Sequence, residues 1–559
     1  MMQEQTAYSS ARFYLMLSVI VLAVAGLSWR VFDLAILDQH FLRQQGDERV
    51  LRLVATPSFR GMIVDRNGFP LAVSTAVFST WINPQEFNPA PGQLSSLARL
   101  TGMKSREISA LVKTNQKKKR EFVYLKRSLS PETANQIKML GIPGIYLQQE
   151  YHRYYPEGEV TAHVIGFTNV DDRGQEGLEL AYNKWLQGEP GKKWVIKDRL
   201  GRVISDVQTI QDEKPGNDLV LSIDRRIQYL AYRELMSGVM ENKAKSGSVI
   251  VLDAKTGEIL AMVNVPSFNP NNRSKANPDS IRNRAVTDIF EPGSTIKAFT
   301  VASGLESGRI KPNSVIDTSP GWMRVGRNVV KDEKNNGIID IATILSVSSN
   351  MGAAKIVLSL PPDQLWSMLH RVGFGESSGI GFPGEQSGIL VKHNPWGSFI
   401  LATLAFGYGL SATTLQIAHA YSVIANNGEK LPVSLLKLDK PPVGERVMDE
   451  KVAQQMLLLL EAVFAKGGTA QTISVPGYRV AGKTGTSKKV GDGGYEKHRY
   501  MSSMVGIAPL TNPRVIVTVV INDPLGKNYY GGLVSGPVFQ RIMEGTLRIL
   551  DVPPDAPVA

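Results

Sequence analysis

The sequence predicts an α+β domain on a largely antiparallel sheet, preceded by an elongated β-containing module and one N-terminal transmembrane helix. Three observations carry this. An uncharged apolar run from Phe13 to Trp29, between Arg12 and Arg30, just spans a bilayer core at ~1.5 Å per residue. From about residue 33 to Pro215-Gly216, short alternating stretches are broken by glycine and proline without a long amphipathic helical block. Beyond Asn217, strand-like runs cluster at both ends of the chain with helix-like runs between them. The expected order is a cytoplasmic tail (1–12), a transmembrane signal anchor (13–32), the first module (33–216), the α+β domain (217–552) and a disordered tail (553–559).

Ala23-Val24-Ala25 offers a small-x-small cleavage site, but apolar character resumes at Val31, Phe32, Leu34, Ile36 and Leu37, as expected of one uncleaved helix leaving the membrane. In the module, Lys117 to Arg120 reads as a solvated basic loop. The charged Asp212 to Asn217 segment, with its Pro-Gly, marks the boundary. Beyond it, Leu219 to Ile223 reads as a strand, Arg225 to Leu235 as a helix, and Ser248 to Asp253 with Glu258 to Asn264 as a hairpin. Helices are expected at 294–306, 341–358, 413–426, 450–465 and 536–550, and strands at Tyr478–Ala481, Met501–Ala508 and Arg514–Ile521.

Composition excludes several chemistries. The chain of 559 residues has no cysteine, which removes thiolate catalysis, cysteine-ligated zinc and disulfides. Its seven histidines show no pair at helical ligand spacing, so neither a metal nor another cofactor is expected. The net charge of +12 suggests an anionic neighbourhood. Without a zinc-ligand cluster, an arginine-rich recognition helix or an aromatic stacking motif, nucleic acid is not the expected partner.

Three short motifs follow in order: Ser294-Thr295-Ile296-Lys297, Ser348-Ser349-Asn350 and Lys483-Thr484-Gly485. Each has a decoy. Ser434 and Lys437 lie in an extended segment, where residues three apart point to opposite faces. Ser294 follows Glu291-Pro292-Gly293 and opens a helical stretch, which brings Lys297 round to its own face one turn later. Lys255-Thr256-Gly257 reads as a hairpin turn and Ser267-Phe268-Asn269 as loop, whereas Lys483 lies on a strand or its edge.

A serine hydroxyl needs an adjacent base. Without a suitably placed histidine that base is Lys297, its pKa lowered by burial and by the cation Lys483. Ser348 is placed to relay a proton to the leaving amine, and Asn350 to hold a substrate amide. Lys483, Thr484, Gly485 and Thr486 form the expected substrate strand, its cation and hydroxyls taking a terminal carboxylate. The backbone N–H groups of Ser294 and Thr486 are candidate oxyanion donors.

The motif set is one shared by β-lactamases and penicillin-binding proteins. The chain resembles a class B penicillin-binding protein through nearly its whole length. Arg60 to Gly68, Leu71 to Ser74, Arg153-Tyr154-Tyr155-Pro156 and Gly174 to Glu179 resemble the non-catalytic, dimerisation-like pedestal of that family. Phe290 to Ser294 and Gly407 to Ser411 resemble its transpeptidase domain, and Ala72 to Pro84 the division-specific FtsI type.

The resemblance implies a penicillin-binding-protein/β-lactamase-like fold with helices on both faces of the sheet. It implies serine D,D-transpeptidase activity on peptidoglycan stem peptides of lipid II-derived strands during septal wall synthesis, and acylation by β-lactams. It also implies a SEDS-type glycosyltransferase and other division proteins as partners, and a single-pass protein of the bacterial inner membrane with a periplasmic catalytic domain. Tyr529 and Tyr530, before Gly531-Gly532, are candidate pocket walls. The rivals are a serine β-lactamase and a non-enzymatic β-lactam sensor or division scaffold. The first lacks a Glu-x-x-x-Asn element between Asn350 and Lys483, and the intact motif set argues against the second.

Overall fold

The computed structural model describes residues 10–42, 44, 51–197, 203–274, 276–491 and 493–556. Residues 1–9 of the expected N-terminal tail and 557–559 of the C-terminal one lie outside them. Helix α1 (Ser10–Phe32) continues as one wider turn, Asp33–Leu37, past the expected end at residue 32. Its Ala11–Leu37 stretch is long and apolar enough to cross a membrane, and none of its most apolar window is buried against protein.

The chain divides into two compact units. The first takes the chain up to Phe59 with Ala76–Tyr151 and Gly188–Pro215. It contains an antiparallel sheet ordered Leu51–Thr56, Gly191–Lys197, Val203–Gln211. It also contains three helices that the sequence texture concealed, Gln93–Thr101, Ser105–Lys117 and Pro131–Met139. Their apolar stripes are short, but Leu97, Ile108, Val112 and Ile137 close a small core with Ile82 and Leu125. The basic run 117–120 is fully exposed at the C-terminal end of Ser105–Lys117, where cations suit the helix dipole.

The second unit holds everything from Gly216 together with Arg60–Thr75 and His152–Gln187, two stretches of the expected first module. The buried carboxylate of Glu179 explains the grouping of those two segments. It accepts from Arg60 Nε at 2.6 Å and Arg153 Nε at 2.6 Å, all three side chains being almost wholly inaccessible. The segments then tie into the larger domain. Ile63–Val64 pairs in parallel with Leu219–Val220, the remnant of the longer strand expected there. Asp65 accepts from the Arg225 amide at 3.1 Å, and Asn271 Nδ2 donates to the Tyr155 carbonyl at 2.9 Å.

The main sheet comprises β1 (Ser246–Asp253), β2 (Ile259–Val265), β3 (Ala481–Gly491), β4 (Gly494–Ala508) and β5 (Val515–Asn522), antiparallel throughout in the order β2-β1-β5-β4-β3. Its helices include α2 (Arg225–Glu241), α3 (Lys297–Glu306), α4 (Ile341–Ser346), α5 (Asn350–Leu358), α6 (Thr414–Ala425), α7 (Glu450–Glu461) and α8 (Gly536–Ile549). On β1, Gly247 faces Leu235 and Val239 of α2, while Ser248 Oγ meets Thr414 Oγ1 of α6 at 2.7 Å. Successive strand residues point to opposite faces, so α2 and α6 cover opposite sides of the sheet.

Three expectations need correction. The strand expected at 478–481 starts at Ala481 and runs on to Gly491, because β4 pairs with it along that length. The expected helix 341–358 breaks into α4 and α5 at Val347–Ser349. The C-terminal tail is anchored through Ala556, since the Asp555 carboxylate accepts from the Arg479 and Thr511 amides at 2.8 and 3.0 Å.

Removing one member of a buried ionic group leaves its partners charged and unpaired. Glu179→Ala is therefore expected to destabilise the protein by about 3–5 kcal/mol, read as a lower midpoint in urea unfolding of the second unit. A midpoint within error of wild type would show that the two arginines find other partners.

Candidate active site

Ser294 lies in a single 3-10 turn, Gly293–Ile296, that runs directly into α3. This turn is clamped from several sides. Ser487 Oγ of β3 donates to the Glu291 carbonyl at 2.6 Å, and the buried Tyr421 of α6 donates to the Thr295 carbonyl at 2.7 Å. Gly407 approaches so closely that a Cβ there would stand 2.0 Å from the Gly293 carbonyl oxygen. Gly485 meets the turn in the same way, since its Cβ would lie 3.0 Å from both Pro292 O and Thr295 Cγ2 and 2.3 Å from Ser503 Oγ. Its glycine identity thus serves close packing of β3 on the Ser294 turn.

One helical turn after Ser294, Lys297 is completely buried. Its Nζ donates to the Ser348 carbonyl at 2.5 Å, to Ser348 Oγ at 3.1 Å and to Asn350 Oδ1 at 2.7 Å. An ammonium has three donors, and all three are engaged here without Ser294. Lys483, equally buried, donates to Ser348 Oγ at 3.1 Å and to the Thr484 carbonyl at 3.2 Å. One hydroxyl therefore sits between two lysines.

Burial pushes the Lys297 pKa down to about 7, partly opposed by the carboxylates of Asp332 and Glu333. Lys483 is driven well below the usual lysine range, by burial first and by Lys297 second. Repulsion between two ammonium groups is mutual, and here it adds to burial in lowering Lys483.

Ser348 occupies the break between α4 and α5 with φ +61°. A non-glycine residue there costs about 1–3 kcal/mol and persists only when its surroundings enforce it. The enforcement comes from Asp332. Its Oδ2 accepts from Ser349 Oγ at 2.6 Å, and its Oδ1 accepts from the Asn350 and Met351 amides at 2.6 and 2.9 Å. Ser349 Oγ in turn accepts from the Gly352 amide at 2.9 Å, capping α5.

A cleft of about 620 Å³ opens over this centre, lined among others by Ser294, Ser348, Asn350, Thr484, Thr486 and Tyr530. Lys297, Lys483 and Gly485 lie beneath it and do not form its wall. Tyr529 does not line it either. Its ring stacks between Tyr500 (4.1 Å between centroids) and Tyr530 (4.5 Å), so it buttresses the residue that does. Thr486 Oγ1 accepts from the Gly531 amide at 3.0 Å, and Thr484 Oγ1 donates to Thr469 Oγ1 at 2.8 Å.

Sequence reasoning missed Asp332, Thr469 and the cleft-lining Tyr408. Asp332 sits in the charged run Lys331 to Lys334, outside the three motifs, and Thr469 carries no sequence signal at all. The decoys are structural. Ser434 Oγ donates to the Leu436 carbonyl at 2.8 Å, Lys437 Nζ to the Arg66 carbonyl at 3.0 Å, and Gly257 turns the β1–β2 hairpin at φ +72°.

Residues 247–544 match the penicillin-binding protein transpeptidase domain, and residues 55–221 the penicillin-binding protein dimerisation domain. The chain is 43% identical to the peptidoglycan D,D-transpeptidase FtsI of Escherichia coli K12, over 99% of this chain and 94% of that one. It is 41% identical to the probable peptidoglycan D,D-transpeptidase PbpC of Pseudomonas aeruginosa, over 97% and 96%. Among solved structures, a peptidoglycan synthetase from Bifidobacterium adolescentis aligns over 91% of this chain and 98% of its own, with TM-score 0.72 and 26% identity. The transpeptidase domain of Burkholderia pseudomallei penicillin-binding protein 3 covers 60% of this chain and 98% of its own, with TM-score 0.56 and 40% identity. With both domain models matched in order around a serine, two lysines and a shared hydroxyl, the chain belongs to the penicillin-binding protein transpeptidase family.

Proposed function

We propose that this chain is a peptidoglycan D,D-transpeptidase of septal wall synthesis, held by α1 in the bacterial inner membrane with its catalytic domain in the periplasm. It would work there beside a SEDS-type glycosyltransferase and other division proteins. The observation that carries the chemistry is the convergence of Lys297 and Lys483 on Ser348 Oγ below the Ser294 cleft.

In the proposed sequence, neutral Lys297 takes the Ser294 proton as Oγ attacks the penultimate carbonyl of a donor stem peptide. The amide N–H groups of Ser294 and Thr486 receive the developing oxyanion. As the C–N bond breaks, Ser348 Oγ protonates the departing D-alanine amine and regains its proton from Lys297. An acceptor amine then attacks the ester, its proton returns by the same path, and Ser294 leaves as a hydroxyl. Thr484 and Thr486 hold the terminal carboxylate, Asn350 the peptide amide, and Tyr530 the cleft wall. A β-lactam enters the same first step, but its amine stays tethered to the acyl group, so the ester persists.

A labelled penicillin is expected to attach to Ser294, located by mass spectrometry of the digested adduct. Attachment at Ser434, or none on folded protein, would remove the assignment. In Lys297→Arg the guanidinium cannot serve as base. Acylation should slow by roughly 10²- to 10⁴-fold, with circular dichroism confirming the fold, and a near-native rate would falsify the role of Lys297.

The pH dependence has a definite sign. Lys297 is inactive when protonated, so acylation should rise with pH up to about 7 and level off above it. At one pH unit below that value, about a tenth of the lysine is neutral and the rate should stand near a tenth of its plateau. A profile flat from pH 5.5 to about 8.5 would show that no group of this kind limits acylation.

A further inference from the structure

Beside the cleft, outside the catalytic machinery, a two-stranded hairpin pairs Trp322–Val325 with Asn328–Lys331. Trp322 stands opposite Lys331, and Arg324 opposite Val329. Directly paired residues share a face, so Trp322, Arg324, Val329 and Lys331 lie on one side, and that side is exposed. Trp322 retains 53% of its surface and Val329 51%. Val325 and Val330 point the other way and are buried. The turn adds a further exposed cation, Arg327.

Among the described residues, no carboxylate lies within ion-pair distance of Arg324, Arg327 or Lys331. Charged residues on a hairpin edge also discourage strand-to-strand association. That purpose does not call for an exposed tryptophan and valine among the cations. A large aromatic ring flanked by unpaired guanidinium groups is the composition of a recognition surface.

The hairpin is continuous with the active site. The Lys331 carbonyl accepts from Asn350 Nδ2 at 3.1 Å, and the next residue, Asp332, caps α5 and holds Ser348 in place. Asp332, Glu333, Lys334 and Asn336 then line the cleft itself. A ligand lying on the exposed face would therefore run straight to the Ser294 opening.

We infer that this hairpin face is a docking strip for the anionic, peptide-bearing glycan strand whose stem peptide enters the cleft. The inference rests on the proposed function and extends it from the reacting peptide to the polymer that carries it. Arg324, Arg327 and Lys331 pair with stem-peptide carboxylates through charge-assisted hydrogen bonds. Trp322 offers an apolar ring against the C–H face of a sugar. A small β-lactam, confined to the cleft, does not touch the strip.

The test uses the full-length protein in detergent micelles, with Ser294 blocked by penicillin so that binding is separated from turnover. Soluble, uncross-linked peptidoglycan strands are the probe. Arg324→Glu/Arg327→Glu is expected to weaken their binding about tenfold or more, since each reversal replaces attraction by like-charge repulsion. Trp322→Ala should also weaken it, whereas Arg324→Lys/Arg327→Lys should bind nearly as wild type. Penicillin acylation of the unblocked variants should stay within about twofold of wild type, as neither arginine reaches the cleft. Undiminished strand binding by the charge-reversed variant would overturn the inference and would assign the face to another partner. So would a parallel fall in acylation, which would mean that the hairpin only shapes the cleft. Hairpin-dependent binding with no cross-linking by unblocked wild-type protein would sustain the docking strip and refute the proposed activity.

Discussion

The site depends on one hydroxyl held between two buried lysines. Both Nζ atoms lie 3.1 Å from Ser348 Oγ. They can be no more than ~6 Å apart, and at an effective dielectric of about 20 two unit charges at that range repel by at least ~2.7 kcal/mol. That is about 2 pKa units before any desolvation is counted. Both side chains are also cut off from water, which disfavours each charge separately. Near neutral pH the pair therefore cannot comfortably hold two protons. Such an enclosure favours a neutral lysine amine, rare on a protein surface, which is the form that amine-assisted serine chemistry would use.

Much of the surrounding fold keeps that hydroxyl in position. Ser348 sits where α4 ends and α5 begins, in a backbone conformation that serine rarely adopts. A continuous helix would carry its side chain along a regular path. Breaking the helix lets the Ser348 carbonyl and hydroxyl both turn toward Lys297. Asp332 maintains the break by accepting from Ser349 Oγ and from the first amides of α5. From the other side, β3 brings Lys483 to the same oxygen, and it comes so near the Ser294 turn only because residue 485 has no side chain. Helix capping and strand packing thus converge on the position of this one hydroxyl.

Much of this was legible in the sequence, because motif order and local periodicity report on neighbouring residues. Ser294 and Lys297 share a helix, so their spacing alone distinguishes them from Ser434 and Lys437. The strands β1, β2, β4 and β5 show through their β-branched runs. The break at Ser348 does not. Residues 341–358 form an almost unbroken helix-compatible run, and no glycine marks the left-handed position. Asp332 is hidden for a different reason, since its role arises from a contact with α5 some eighteen residues downstream. The first module's helices escaped because each is short and closes its core only with partners distant in sequence. Lys483 was read as a charge offered to substrate, whereas burial places it beneath the cleft, where charge is disfavoured.

That burial bears on how the base would be generated. The two lysines titrate as a pair, and what distinguishes them is their surroundings. Asp332 and Glu333 favour charge on Lys297, while Lys483 feels burial and the repulsion of Lys297. While Lys297 carries a proton, its three donors face three acceptors with no lone pair free for Ser294. A carboxylate held at Thr484 and Thr486 would change the balance. Lys483 Nζ lies 3.5 Å from Thr484 Oγ1, so the new anion would favour charge on Lys483 far more than on Lys297. Ser348 Oγ, bonded to both nitrogens, offers the route: it accepts a proton from Lys297 and passes its own to Lys483. In the proposed mechanism, the substrate's own carboxylate thus frees the Lys297 lone pair, and the nucleophile becomes active once the cleft is filled.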